Sequence, residues 1–185
     1  MRASAQELGF RFSEADLYAK LPIHINTREL TRVRVELFAT GGLVVVGTPF
    51  DQVADNQNTW TVATAKSCLA SGDPLGQHRT SRRSIHEAAR AEFAQEAADE
   101  VILFNERDEL CEGTMTNVFI KGPDDVLLTP PLACGIAPGI LRQELIDRCK
   151  AREQILKRES LTNAAQLFVG SSLYGLIPAK LVSVS

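Results

Sequence analysis

The chain has 185 residues, 44% of them hydrophobic, and its 20 Lys and Arg against 23 Asp and Glu give a formal net charge of −3. That length suffices for one substantial core or two small lobes, and the composition is that of an ordinary globular protein. The charge balance excludes broad electrostatic binding of nucleic acid or anionic membrane, no run reaches the roughly 18–20 apolar residues of a membrane span, and the N-terminus lacks a secretory apolar core, so the expected compartment is the cytoplasm.

Residues 2–9 read as a helix tail stopped by Gly9. Ser13 is predicted to cap a short helix running to Leu21, which Pro22 ends. From Thr31 to Phe38 the pattern alternates, with Val33, Val35 and Leu37 on one face and Arg32, Arg34 and Glu36 on the other. This predicts a half-buried strand, turned at Gly41-Gly42 into a second strand, Leu43–Val46. Residues 51–58 are polar and turn-prone, and Trp60–Ala65 reads as a strand. Ser71-Gly-Asp-Pro-Leu-Gly76 has linker composition, so the expected division is a small lobe over 1–70, a linker over 71–76 and a larger lobe over 77–185.

A long amphipathic helix is predicted over 81–98, with Ile85, Ala88, Ala89 and Phe93 near helical spacing. A strand over Val101–Phe104 and a turn over Asn105–Asp108 lead to a longer strand, Glu112–Lys121. After a turn at Gly122–Asp125 come a strand from Leu127 and a helix from Pro138 to Cys149. A short strand over Gln154–Arg158, a brief helix capped at Ser160, a strand over Leu167–Val169, a turn at Gly170–Ser172 and a final strand over Ala179–Val184 complete the chain. Strands and helices mix without regular βαβ alternation, which predicts an α+β fold.

The chemistry concentrates in Glu112–Arg142. A strand carries an acid and an amide. After a turn and a second strand, a Gly/Pro loop opens a helix whose unpaired N–H groups attract anions. An acid able to pair with a cationic ring nitrogen, beside a phosphate cup, is what pyridoxal phosphate needs apart from a tethering lysine. The four cysteines (Cys68, Cys111, Cys134, Cys149) have no paired spacing, so no metal is expected and free thiols are.

Five segments carry a family resemblance over nearly the whole chain. They are Asp99-Glu-Val-Ile-Leu-Phe-Asn-Glu106, Glu112-Gly-Thr-Met-Thr-Asn-Val-Phe119, Thr129-Pro-Pro-Leu-Ala-Cys-Gly135, Pro138-Gly-Ile-Leu-Arg142 and Phe168-Val-Gly-Ser-Ser-Leu-Tyr-Gly175. Together they resemble the class IV aminotransferases, fold type IV of the pyridoxal phosphate enzymes, and within these the 4-amino-4-deoxychorismate lyase branch. The resemblance implies that Glu112 pairs with the pyridine nitrogen, Asn117 lies near the ring, and Gly139, Ile140 and Leu141 form the phosphate cup. Ser171 and Ser172 read either as turn residues or as contacts to phosphate or substrate carboxylate. It also implies a homodimer acting on a small molecule, with no nucleic-acid or membrane partner.

Two departures stand out. The family's lysine lies in a His-Lys-Thr segment, and here the segment is His78-Arg79-Thr80. A guanidinium stays protonated and cannot condense with an aldehyde, so covalent cofactor binding is expected to be absent and Arg79 catalytically inactive. His86 stands where the family tends to carry tyrosine. The family's first small-lobe strands and its phosphate-binding arginine are expected to be missing upstream of Met1.

Arg79 is read as a surface or interlobe salt-bridge residue that could still hold an anion. His78 and His86 are read as packed or solvated, and Arg142 as a helix-surface charge or ion-pair partner. Three functions remain in view: the lyase, a non-catalytic relative binding a small anion or a protein, and an amino-acid transaminase.

Overall fold

The computed structural model describes residues 1–21, 29–50 and 59–182. Pro22, the 51–58 stretch and the end of the expected last strand lie outside them. The chain divides into two units, Met1–Asp55 and Asn56–Ser185.

In the first unit α1 (Arg2–Glu7) runs into Gly9, whose φ of 70° is the left-handed conformation that glycine adopts at no steric cost. Ser13 caps α2 (Glu14–Lys20), its hydroxyl accepting from the Asp16 N–H at 3.2 Å. β1 (Thr31–Leu37) and β2 (Leu43–Pro49) form an antiparallel hairpin with Leu37 opposite Leu43. The alternation in 31–38 and the Gly41-Gly42 turn predicted this pairing. Lys20 Nζ ties α2 to the Leu43 carbonyl at 2.7 Å.

The second unit holds an eight-stranded sheet. Its strands are β3 (Trp60–Leu69), β4 (Glu100–Asn105), β5 (Leu110–Gly113), β6 (Asn117–Lys121), β7 (Leu127–Thr129), β8 (Ala151–Glu153), β9 (Leu167–Ser171) and β10 (Gly175–Leu181). The spatial order is β5-β4-β3-β10-β9-β6-β7-β8, and β5 also pairs with β6. Six strands therefore close into a ring, joined at Glu112 opposite Asn117. β3 runs parallel to β4 and to β10, which makes it an interior strand of the larger unit. The division between units accordingly falls upstream of the expected 71–76 linker.

Strand periodicity sorts the core. Along β4, Ile102 and Phe104 join a cluster with Leu110, Val118, Leu156 and Val169, while Val101 and Leu103 face a second cluster with Ala89, Cys111 and Ile136. Each such side chain taken from water contributes about 1.5–3 kcal/mol. α3 (Ser84–Ala91) covers the second cluster with Ile85 and Ala89.

Several elements differ from expectation. α3 stops at Ala91 rather than continuing to 98, because the Glu92 carboxylate turns to accept from the Lys66 and Ser67 amides at 2.6 and 2.8 Å. Burial raises the Glu92 pKa, but these bonds outweigh it and hold the group below its usual value. The expected strand 112–121 is broken at 114–116, where Glu100, wholly buried, gathers the chain. Its Oε1 accepts from the Thr114 N–H and hydroxyl at 2.9 and 2.6 Å, and its Oε2 from the Met115 N–H at 3.0 Å and the Thr116 hydroxyl at 2.8 Å. The short strand expected at 154–158 is instead Ala151–Glu153, aligned in parallel with β7. Ser160 does not cap α5 (Arg158–Thr162); it sits inside the helix, its hydroxyl accepting from the Lys157 N–H at 3.1 Å.

Candidate functional site

The ring closure delivers two of the expected site residues to one place. Glu112 and Asn117 are register partners, 4% and 2% exposed. The Ala137 N–H donates to Glu112 Oε2 at 3.2 Å, and Asn117 Nδ2 donates to the Ala137 carbonyl at 3.4 Å. The Gly/Pro loop is thereby pinned to both. Gly139 lies so close to Asn117 that a Cβ there would fall 1.8 Å from its Oδ1. Gly135 has φ of 90°, and a Cβ on it would meet the Ser71 Cα at 2.9 Å. Only glycine fits these two positions without displacement.

Gly139 is the N-cap of α4 (Ile140–Asp147), so this helix starts two residues later than Pro138. Leu141 reaches β9, where its Cδ2 would touch a Cβ on Gly170 at 2.9 Å. Ile140 is 73% exposed. Ser171 lies within β9 and Ser172 in the turn after it, because the Gly170–Ser171 backbone continues the pairing with β10. The structure thus joins Glu112, Asn117, Gly139 and Leu141, while neither serine has a hydrogen bond to any of them. Arg142 is 1% exposed, so it is not a helix-surface charge. Its guanidinium donates to the Pro130 carbonyl through Nη2 at 2.7 Å and through Nε at 3.2 Å, and it pairs with Glu153.

On the other side of Glu112 lies a cavity of about 230 Å³. Arg79 and Glu112 both line it, with His86, Arg83, Gly135 and Ala137. His86 Nε2 is 3.1 Å from Glu112 Oε1, and His86 Nδ1 is buried with no partner among the described residues. His86, expected to be packed or solvated, is largely packed. Its contact with an acid 26 positions away is invisible to periodicity, and the one clue was that it replaces the family tyrosine. Arg83 Nη2 donates to the Thr114 carbonyl.

Beside the site a second network fixes the 105–109 turn against the loop at 132–135. Arg107 Nη2 binds Glu109 Oε2 at 2.7 Å and the Ala133 carbonyl at 3.0 Å, and Asn105 Nδ2 binds Glu109 Oε2 at 2.9 Å and the Cys134 carbonyl at 3.1 Å. The Arg107 guanidinium, then Asn105, holds the Glu109 pKa down to about 2. Burial pushes the Cys134 thiol up to about 11 and raises Cys111 further, so both remain thiols rather than thiolate nucleophiles. Among the described residues no cluster of His, Cys, Asp and Glu could hold a metal, and no helix is long and apolar enough to cross a membrane.

Pyridoxal phosphate asks for an acid, an anion cup and an amine. The acid is buried, and Gly139 stands as the N-cap of α4, the helix end expected to face an anion. The amine is absent: Lys66, Lys121, Lys150, Lys157 and Lys180 of this unit all lie outside the cavity lining, and Arg79 lines it instead. Both oxygens of the acid are also engaged, one by His86 and one by Ala137. The residues do not fit a covalently tethered cofactor.

The amino-transferase class IV family matches residues 1–182. A crystal structure of a candidate amino-acid aminotransferase from Mesorhizobium loti superposes with a TM-score of 0.94 at 43% identity, covering 98% of this chain and 87% of that one. The branched-chain-amino-acid aminotransferase of Escherichia coli K12 is 36% identical over 78 residues, 40% of this chain and 25% of that protein, so the chain aligns with about a quarter of this relative's length. A candidate 4-amino-4-deoxychorismate lyase from Legionella pneumophila shares the fold, with a TM-score of 0.79 at 21% identity over 97% of this chain and 73% of that one. Family members normally use pyridoxal phosphate. On the match over 1–182 and the shared fold, this chain belongs to the class IV aminotransferase family.

Proposed function

We propose that this protein is a class IV aminotransferase scaffold of the amino-acid transaminase branch that holds a small ligand non-covalently between Arg79 and Glu112, without Schiff-base chemistry. The observation that carries this reading is that Arg79, and no lysine of its unit, lines the cavity walled by Glu112. A guanidinium is a fixed positive charge and offers no free amine. Glu112 provides a buried carboxyl group already held by an imidazole and an amide N–H. The loop from Gly135 to Gly139 shapes the wall between them and the core.

The transaminase branch is preferred to the lyase because the 43% and 36% identical relatives carry aminotransferase names. The likeness to the lyase, at 21% identity, supports the fold alone. The same reading takes the protein as a homodimer, and a monomer mass by light scattering would remove that part.

The test is equimolar pyridoxal phosphate, borohydride reduction and mass spectrometry. The expected result is an unmodified chain. A cofactor adduct on Lys20, Lys66, Lys121, Lys150, Lys157 or Lys180 would overturn the reading.

A further inference from the structure

Inside the cavity one polar atom is left over. Glu112 faces His86 through Oε1 and Ala137 through Oε2, so the acid has both oxygens occupied. The imidazole uses only Nε2, and its Nδ1 is buried without a partner among the described residues. A buried polar atom left unpaired in this way costs stability, and such atoms in folded proteins are normally satisfied by water or by a ligand. His86 walls both this cavity and the adjoining groove along α3, so the unpaired nitrogen belongs to a ring that borders open space on two sides.

The charges around the ring are unequally committed. Arg83 donates to the Thr114 carbonyl, and Arg82 lies 3.9 Å from the Asp73 carboxylate. Arg79, exposed at the cavity mouth, has no carboxylate within ion-pair distance among the described residues. An uncommitted guanidinium is a donor that matches the paired oxygens of carboxylate and phosphate groups, and an imidazole nitrogen without a partner can pair with an oxygen or hydroxyl of the same group.

We propose that the cavity is an oxyanion site, binding a small phosphate or carboxylate through Arg79 and through His86 Nδ1, the ring nitrogen that Glu112 leaves unpaired. Its lining includes Arg79, at the family's tether position, and does not include Gly139 at the start of α4. The acid that a pyridine nitrogen would take is here committed to His86. A volume of about 230 Å³ suits inorganic phosphate or a short-chain acid, and lies below the several hundred Å³ of pockets that enclose larger ligands. The inference rests on the non-covalent reading above and adds to it the class of ligand and the two groups that grip it.

Calorimetric titration of the full chain with inorganic phosphate, and separately with acetate, tests it and tells the two oxyanions apart, with sodium chloride as the control. Saturable binding of at least one oxyanion is expected. Arg79→Gln and His86→Gln should each weaken it about tenfold or more, the scale of one charge-assisted hydrogen bond. Thermal unfolding of each variant checks that it folds. If His86→Gln does not fold, the His86 ring nitrogen resonances of the unmodified chain serve instead, and they should move on addition of the anion. No saturable binding of either oxyanion, binding unchanged in both variants, or His86 resonances that stay fixed while the anion binds would each overturn the proposal. Those outcomes leave the borohydride result untouched, whereas a reduced cofactor adduct would sink the non-covalent reading itself.

Discussion

The two sides of Glu112 are built by different means. On the Asn117–Gly139–Gly170 side the parts fit through backbone contact. A Cβ on Gly139 would collide with Asn117, and one on Gly170 would come within 2.6 Å of the Gly175 carbonyl oxygen. On the Arg79–His86 side the charged and ring side chains of Arg79, Arg83 and His86 join Gly135 and Ala137 in the wall, and Arg79 itself is solvent-exposed. The contrast teaches that packing and chemistry are constrained separately. A scaffold can keep its glycine-built half because folding needs it, while the reactive group opposite can change at little cost to stability.

The largest effect that would sharpen this contrast is expected at Gly139→Ala. Asn117 is buried and bonded to the Ala137 carbonyl, so it cannot yield freely. The added methyl should cost about 1–3 kcal/mol, read from denaturant unfolding. A cost near zero would mean the close approach is not a constraint.

A smaller effect is expected from acid. Glu109 has a folded pKa of about 2 against an ordinary 4.5. A depressed carboxyl contributes stability that is fully present above its unfolded value and is lost as pH falls through the folded one. The melting temperature should therefore decline between about pH 4.5 and pH 2, and Glu109→Gln should flatten part of that decline. An identical slope in the variant would remove the Arg107–Glu109 network from the account.

The smallest effect is expected at Arg79→Gln, whose stability should lie within about 0.5 kcal/mol of the parent protein. A larger loss would break the comparison, because it would make Arg79 part of the framework rather than of the ligand-facing wall.

The legibility of the molecule follows the same line. The hairpin β1–β2 could be read because alternation and a Gly-Gly turn are local. The acid, the amide and the glycine loop could be read because their spacing matches a family. What could not be read is decided by distant partners. Glu92 ends α3 by reaching Lys66 and Ser67, and Glu100 breaks the strand at 114–116 by collecting three residues that follow it by 14 to 16 positions. For Arg142 the ion-pair reading holds, through Glu153, while its burial against the carbonyl of Pro130 is set by the tertiary fold. His86 needed the tertiary fold to bring it to Glu112.

The ring of six strands has one thin weld. β5 and β6 meet through the single register pair Glu112 and Asn117, whereas β9 and β10 share five. Breathing of the barrel should begin at its least-stitched junction, and that junction is also where the acid sits. Whatever occupies the cavity would then act as a clasp, slowing amide exchange at Gly113 and Asn117 before it stiffens anything farther away.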